Sequence, residues 1–165
     1  MAVLPNDAGS LRLALTLVDR EARVRGGLPV FQGVASGRLL GTAAVEHFDR
    51  RDREWWPFVR LPALYLPAEA VGALVEGARE VLAGGAPGFA WQPGPGVPLA
   101  IQLGATEGPP GILVEVGLEL GPWLADMVGG QAGGEACLFR FATARAELVR
   151  FADALAGEAR EVPEK

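Results

Sequence analysis

Hydrophobic residues at every second position mark three strands. Leu11, Leu13, Leu15 and Leu17 alternate with Arg12, Ala14 and Thr16, which is the period of a strand with one buried face. Val97, Leu99, Ile101 and Leu103 alternate in the same way, and so do Ile112, Val114, Val116, Leu118 and Leu120. The segment GATEGPPG between the last two predicts an antiparallel hairpin. Elsewhere the period changes to 3.6. Val71, Leu74, Val75, Ala78 and Leu82 predict a helix over 67–83, with Pro67 at its start and Glu69 in its positive first turn. Gly84-Gly85 stops it. Leu148, Phe151, Ala152 and Leu155 mark one face of a second helix over 143–158, with Thr143 as its N-cap.

The remaining segments carry weaker patterns. Residues 30–48 read as two strands broken at Ser36-Gly37, and DRRDRE at 49–54 reads as a charged turn. In WWPFVRLPALYL, Pro57 and Pro62 each remove a ladder donor, which limits the segment to an edge strand at 58–61. Phe89–Trp91 is a short strand, Gly121-Pro122 starts a short helix near 122–128, and 136–142 is a strand. Ser10 falls in a frayed N-terminus. Trp91 and Trp123 read as core anchors. No internal repeat or linker is visible, so residues 1–165 form one α+β domain: a mostly antiparallel sheet with the two main helices packed on one face.

Composition narrows the chemistry. Fifteen Lys and Arg against twenty Asp and Glu leave a formal charge of -5, which argues against a general nucleic-acid binder. One Cys and one His exclude a disulfide framework, a multi-cysteine zinc site and a histidine-rich metal site. The expected cofactor set is empty. Only Ser10 and Ser36 are serine nucleophiles, and neither lies in a G-x-S-x-G elbow. No phosphate-binding glycine motif occurs, and the only lysine is Lys165. No segment reaches the roughly 18–20 apolar residues of a membrane span, and the N-terminus lacks the apolar core of a signal peptide. The expectation is a cytoplasmic protein with no membrane partner.

Charge is uneven along the chain. Residues 1–60 hold nine Arg and seven acids, a sum of +2; residues 61–165 hold six cations and thirteen acids, a sum of -7. Glu115 and Glu119 share one strand face, roughly 13 Å apart. With Glu107, Asp126 and Glu135 they are candidates for an acidic surface that steers a basic partner. Against that stands an ordinary solvated sheet face.

The densest polar segment runs from Glu46 to Trp56. His47 could act as a base oriented by Glu46 or Asp49, but Arg50, Arg51 and Arg53 interleave with Asp49, Asp52 and Glu54, the pattern of local ion pairing on a loop. Trp55 and Trp56 must point to opposite faces of a strand. One is then core and the other is free for a protein partner, and with Arg53 it has the composition of a binding hot spot.

From Trp56 onward the order of elements resembles a known arrangement. WPFVRLP leads into LPAEAVGALVEGAREVLAGG; then come FAWQPGPGVPLAIQL, GILVEVGLELGPW, ACLFRF and TARAELVRFADAL. This order over residues 54–157 resembles the WapI-type immunity proteins of bacterial toxin systems. The shared points are the helix with its Gly stop, the segment from Phe89 to Pro93, a strand followed by Pro122-Trp123, and a closing strand and amphipathic helix. The resemblance implies a non-enzymatic protein that binds and blocks a toxin, often a basic one. The sequence is compatible with such a binding module, with a homo-oligomeric structural subunit using Trp55, Trp56 or the edge near Pro57, and with a small enzyme using His47.

Overall fold

The computed structural model describes residues 1–20, 38–94, 97–119 and 136–162. The elements run β1 (Ala2–Pro5), β2 (Leu11–Arg20), β3 (Arg38–Asp49), β4 (Glu54–Pro67), α1 (Ala68–Ala83), β5 (Gly88–Trp91), β6 (Leu99–Ala105), β7 (Gly111–Glu119), β8 (Ala136–Ala144) and α2 (Arg145–Glu161). The fold is α+β. Its strands form two four-stranded antiparallel sheets in simple meander order, sheet A with β1-β2-β3-β4 and sheet B with β5-β6-β7-β8. Each sheet is followed by one helix. The order of described elements therefore repeats, although the residues themselves show no repeat.

The alternating segments fold as their period dictates. Leu13 and Leu15 of β2, Leu99, Ile101 and Leu103 of β6, and Ile112, Val114, Val116 and Leu118 of β7 are all buried. The β6–β7 hairpin pairs Leu99 with Leu118 and Ala105 with Ile112. Helix α1 begins after Pro67 and ends at Gly84, whose φ of 75° lies in the left-handed region that glycine enters without strain. It buries Val71, Leu74, Val75, Ala78 and Val81, and α2 buries Leu148, Phe151, Ala152 and Leu155. The helices pack on each other, α1 against β4, β5 and β6, and α2 against β1, β2, β7 and β8. Both sheets and both helices contribute to one continuous hydrophobic cluster. Trp91 anchors it, and its indole Nε1 donates to the Ala70 carbonyl at 2.6 Å.

Several local expectations change. The N-terminus is not frayed: Ala2 and Leu4 of β1 are fully buried, and Asn6 Oδ1 accepts from the Ser10 and Leu11 amides at 2.8 and 3.0 Å. The edge strand predicted at 58–61 runs from Glu54 to Pro67. It is an edge strand, as Pro57 and Pro62 require. Thr143 is not an N-cap, because it belongs to β8 and Ala144 precedes the helix. The break at Ser36-Gly37, the short helix near 122–128, Trp123, Asp126 and Glu135 lie outside the described residues. Among the described residues, no helix is long and apolar enough to cross a membrane.

Candidate functional site

One end of sheet A lies against β8. On one flank the Asp7 amide donates to the Ala142 carbonyl at 2.9 Å, and the Thr143 hydroxyl donates to the Pro5 carbonyl at 2.7 Å. On the other flank the rings of Phe58 and Phe139 stand 6.0 Å apart. Because β1 and β4 are the opposite edges of sheet A, β8 runs across the whole end of that sheet.

The aromatic flank arises from a bulge. Val45 pairs with Val59, but Glu46 pairs with Pro57, so Phe58 is an extra residue on β4. His47 follows Val45 on the core-facing side of β3, at the point where the core runs out. The ring of Phe58 rests 4.5 Å from that of His47, and Trp56 pairs with His47 across the strands. His47, Trp56, Phe58 and Phe139 thus gather where the two sheets meet. Trp56 is 49% exposed and Phe58 58% exposed. Large aromatic rings held in water on a rigid sheet edge are the composition of a protein-binding hot spot.

The other face of the same hairpin is tied down. Arg12 and Glu46 are cross-strand partners, and the Arg12 Nε donates to Glu46 Oε2 at 2.7 Å. The Arg12 guanidinium also lies 4.0 Å from the Trp55 ring centre, and the Phe48 ring meets that ring at a tilt, 5.3 Å between centres. Trp55 and Trp56 do point to opposite faces, but neither reaches the core. Trp55 is half-buried under Arg12, and Trp56 is half-exposed. Arg53 is exposed in the β3–β4 turn at φ 55°, next to an Asx turn in which the Arg51 amide donates to Asp49 Oδ1 at 2.7 Å.

The three described acidic candidates, Glu107, Glu115 and Glu119, are dispersed. Glu115 pairs with Arg140 at 2.8 Å, so its charge is locally balanced. Glu107 is exposed in the β6–β7 turn and Glu119 is exposed at the far end of β7, on the order of 25 Å away by strand rise. His47 has no carboxylate bonded to it among the described residues. Its neighbour Glu46 faces away, toward Arg12, and Asp49 serves the turn. Cys137 is half-buried on β8. Among the described residues, no group of three or more His, Cys, Asp and Glu is placed to hold a metal ion.

Sequence reasoning singled out Trp55, Trp56 and Arg53 but missed Phe58, Phe139 and Phe48. The bulge brings Phe58 to His47, and a bulge inside a proline-rich edge strand leaves no mark in the alternation. Phe139 lies more than 80 positions further along the chain, and only the crossing of β8 brings it there.

No protein-family model and no curated protein matches the chain. The structure is similar to that of the plant transcriptional regulator PBF-2, at a TM-score of 0.44 and 8% identity, over 92% of this chain and 82% of that one.

Proposed function

We propose that this chain is a non-enzymatic protein-binding module that neutralises a partner, in the manner of the immunity proteins its sequence resembles. The observation that carries the reading is the exposed aromatic group Trp56 and Phe58, backed by His47 and Phe139 on two joined sheets. A rigid backbone presents these rings at little entropic cost, so their burial under a partner converts efficiently into affinity. Arg53 and Trp55 flank the group. The excess of negative charge in residues 61–165 favours a basic partner and speeds its approach. Because Glu107 and Glu119 are far apart and Glu115 is paired, the acids act through the overall field rather than as one contact patch.

The test is co-expression with the basic toxin domain encoded beside this gene, followed by a growth assay and a binding titration of the purified pair. The wild-type chain should protect cells and bind the domain. Trp56→Ala and Phe58→Ala should each weaken binding at least tenfold, with unchanged circular dichroism. Absence of a neighbouring toxin gene, or full binding by the Trp56→Ala/Phe58→Ala double variant, would overturn the reading.

A further inference from the structure

Strand β8 is an edge of sheet B, and its outer edge is occupied at one place among the described residues. There the Asp7 amide takes the Ala142 carbonyl. Backbone groups of alternate strand residues point to alternate sides. The outward groups are therefore those of residues 142, 140, 138 and 136, and the last three have no partner among the described residues. Phe58 meets Phe139 on the inner face, the side shared with buried Val116, so it does not pair with this edge. The other long edge, β4, has Pro57 and Pro62 within it and lacks those donors. Nothing comparable interrupts β8. Instead, Leu138 stands 60% exposed on its outer face.

We infer that β8 pairs antiparallel with β8 of a second copy about a two-fold axis at Leu138, joining the two B sheets into one. In this register Leu138 opposes Leu138 of the second copy, and Arg140 opposes Ala136 of the second copy. Residues 136, 138 and 140 all have outward amides and carbonyls, so each opposed pair exchanges both its bonds. An axis at Phe139 would leave fewer bonded pairs and set each Leu138 against a guanidinium.

Charge selects the same register. Within one chain Glu119 is the cross-strand neighbour of Ala136. Arg140 of one copy therefore faces Glu119 of the second copy two strands away, about 10 Å between backbones, a gap that an extended arginine and glutamate span. Glu119 is exposed and has no ion-pair partner among the described residues. The Arg140 side chain is 59% exposed while one of its nitrogens holds Glu115, which leaves the rest of its fork for Glu119. The two-fold axis makes this contact twice. The interface is isologous and closed, as a stable homodimer requires, and it stands independently of the partner reading above.

Sedimentation of the full chain across micromolar concentrations should give a dimer. Glu119→Arg changes an exposed residue outside the core, and it should weaken the dimer about tenfold by setting like charges opposite. Leu138→Asp should give a folded monomer. In a Cys137→Ser/Leu138→Cys chain, mild oxidation should link two copies, because bonded antiparallel pairs sit at about 5.5 Å between Cα atoms, within disulfide reach. Trp56→Ala should remain dimeric, which separates this interface from the partner surface. A wild-type monomer would mean that the edge is free for a foreign strand or otherwise covered. That outcome, a dimer indifferent to Glu119→Arg, or a failure to cross-link would each overturn the inference.

Discussion

Thr143 and Pro5 join the two sheets through a single hydrogen bond, hydroxyl to carbonyl at 2.7 Å, in which Thr143 has no exposed surface. Pro5 ends β1, and β1 carries buried Ala2 and Leu4 against α2. Thr143→Val keeps the shape but leaves that carbonyl without its donor. The expected cost is about 1–2 kcal/mol. Thr143→Ser keeps the hydroxyl and should cost less than about 1 kcal/mol, mainly for the missing methyl group. Urea denaturation of the two variants checks the order; equal losses would mean that the hydroxyl contributes nothing.

Two glycines of α1 should respond in opposite directions to the same substitution. A Cβ at Gly77 would meet the Phe89 ring at 2.4 Å, whereas one at Gly72 would meet nothing within 4 Å. Alanine favours a helix over glycine by about 1 kcal/mol. Gly72→Ala should therefore stabilise by about 0.5–1 kcal/mol. Gly77→Ala must displace a ring that packs on the core, and it should destabilise by about 1–3 kcal/mol despite the same propensity gain. In a Phe89→Ala background the penalty at Gly77 should disappear. Thermal melts of the wild type, the three single variants and the Gly77→Ala/Phe89→Ala double variant check it.

Trp91 predicts a third outcome. Its indole Nε1 bonds the Ala70 carbonyl inside the first turns of α1. Trp91→Phe keeps an aromatic ring but removes that donor and leaves space behind it. The expected loss is about 2–3 kcal/mol. Trp91 is the most buried of the described indoles, so in a quencher titration the variant should lose a poorly quenched component of the tryptophan emission.

Elements whose period is strong over many residues were legible in the chain, and those held by distant contacts were not. Helix α1 and the β6–β7 hairpin have apolar patterns of four or five positions each and explicit turn residues, so local rules suffice. Strand β1 has only four residues, too few for alternation to stand out, and it is stable because α2 covers it. Thr143 looks like a cap because it precedes an amphipathic run, yet a carbonyl 138 positions away takes its hydroxyl. At the candidate site, the opposite facing of Trp55 and Trp56 follows from strand geometry alone. That Trp55 lies under Arg12 does not, since it depends on the register between β2 and β3. The acidic residues illustrate the same limit. Their charges could be counted in the chain, but the pairing of Glu115 with Arg140 depends on the β7–β8 register.

The Arg12–Glu46 pair, whose guanidinium lies over Trp55, gives the last prediction. The two side chains are 19% and 10% exposed, so water screens them little. Arg12→Ala would leave the Glu46 carboxylate under the sheet surface without its counter-charge and would strip one face of Trp55. The loss should be about 2–3 kcal/mol, below that of a fully buried pair because some solvent still reaches the arginine. Glu46→Gln keeps a hydrogen-bond acceptor for Arg12 and the contact with Trp55, so it should cost less than about 1.5 kcal/mol. Replacing both by leucine removes the desolvated charges together and should recover part of the Arg12→Ala loss. A double-mutant cycle in urea measures the coupling, and a red shift of tryptophan emission in Arg12→Ala alone reports the uncovering of Trp55. If Glu46→Gln proves as costly as Arg12→Ala, the negative charge rather than the stacking of arginine on the ring is what holds this hairpin face.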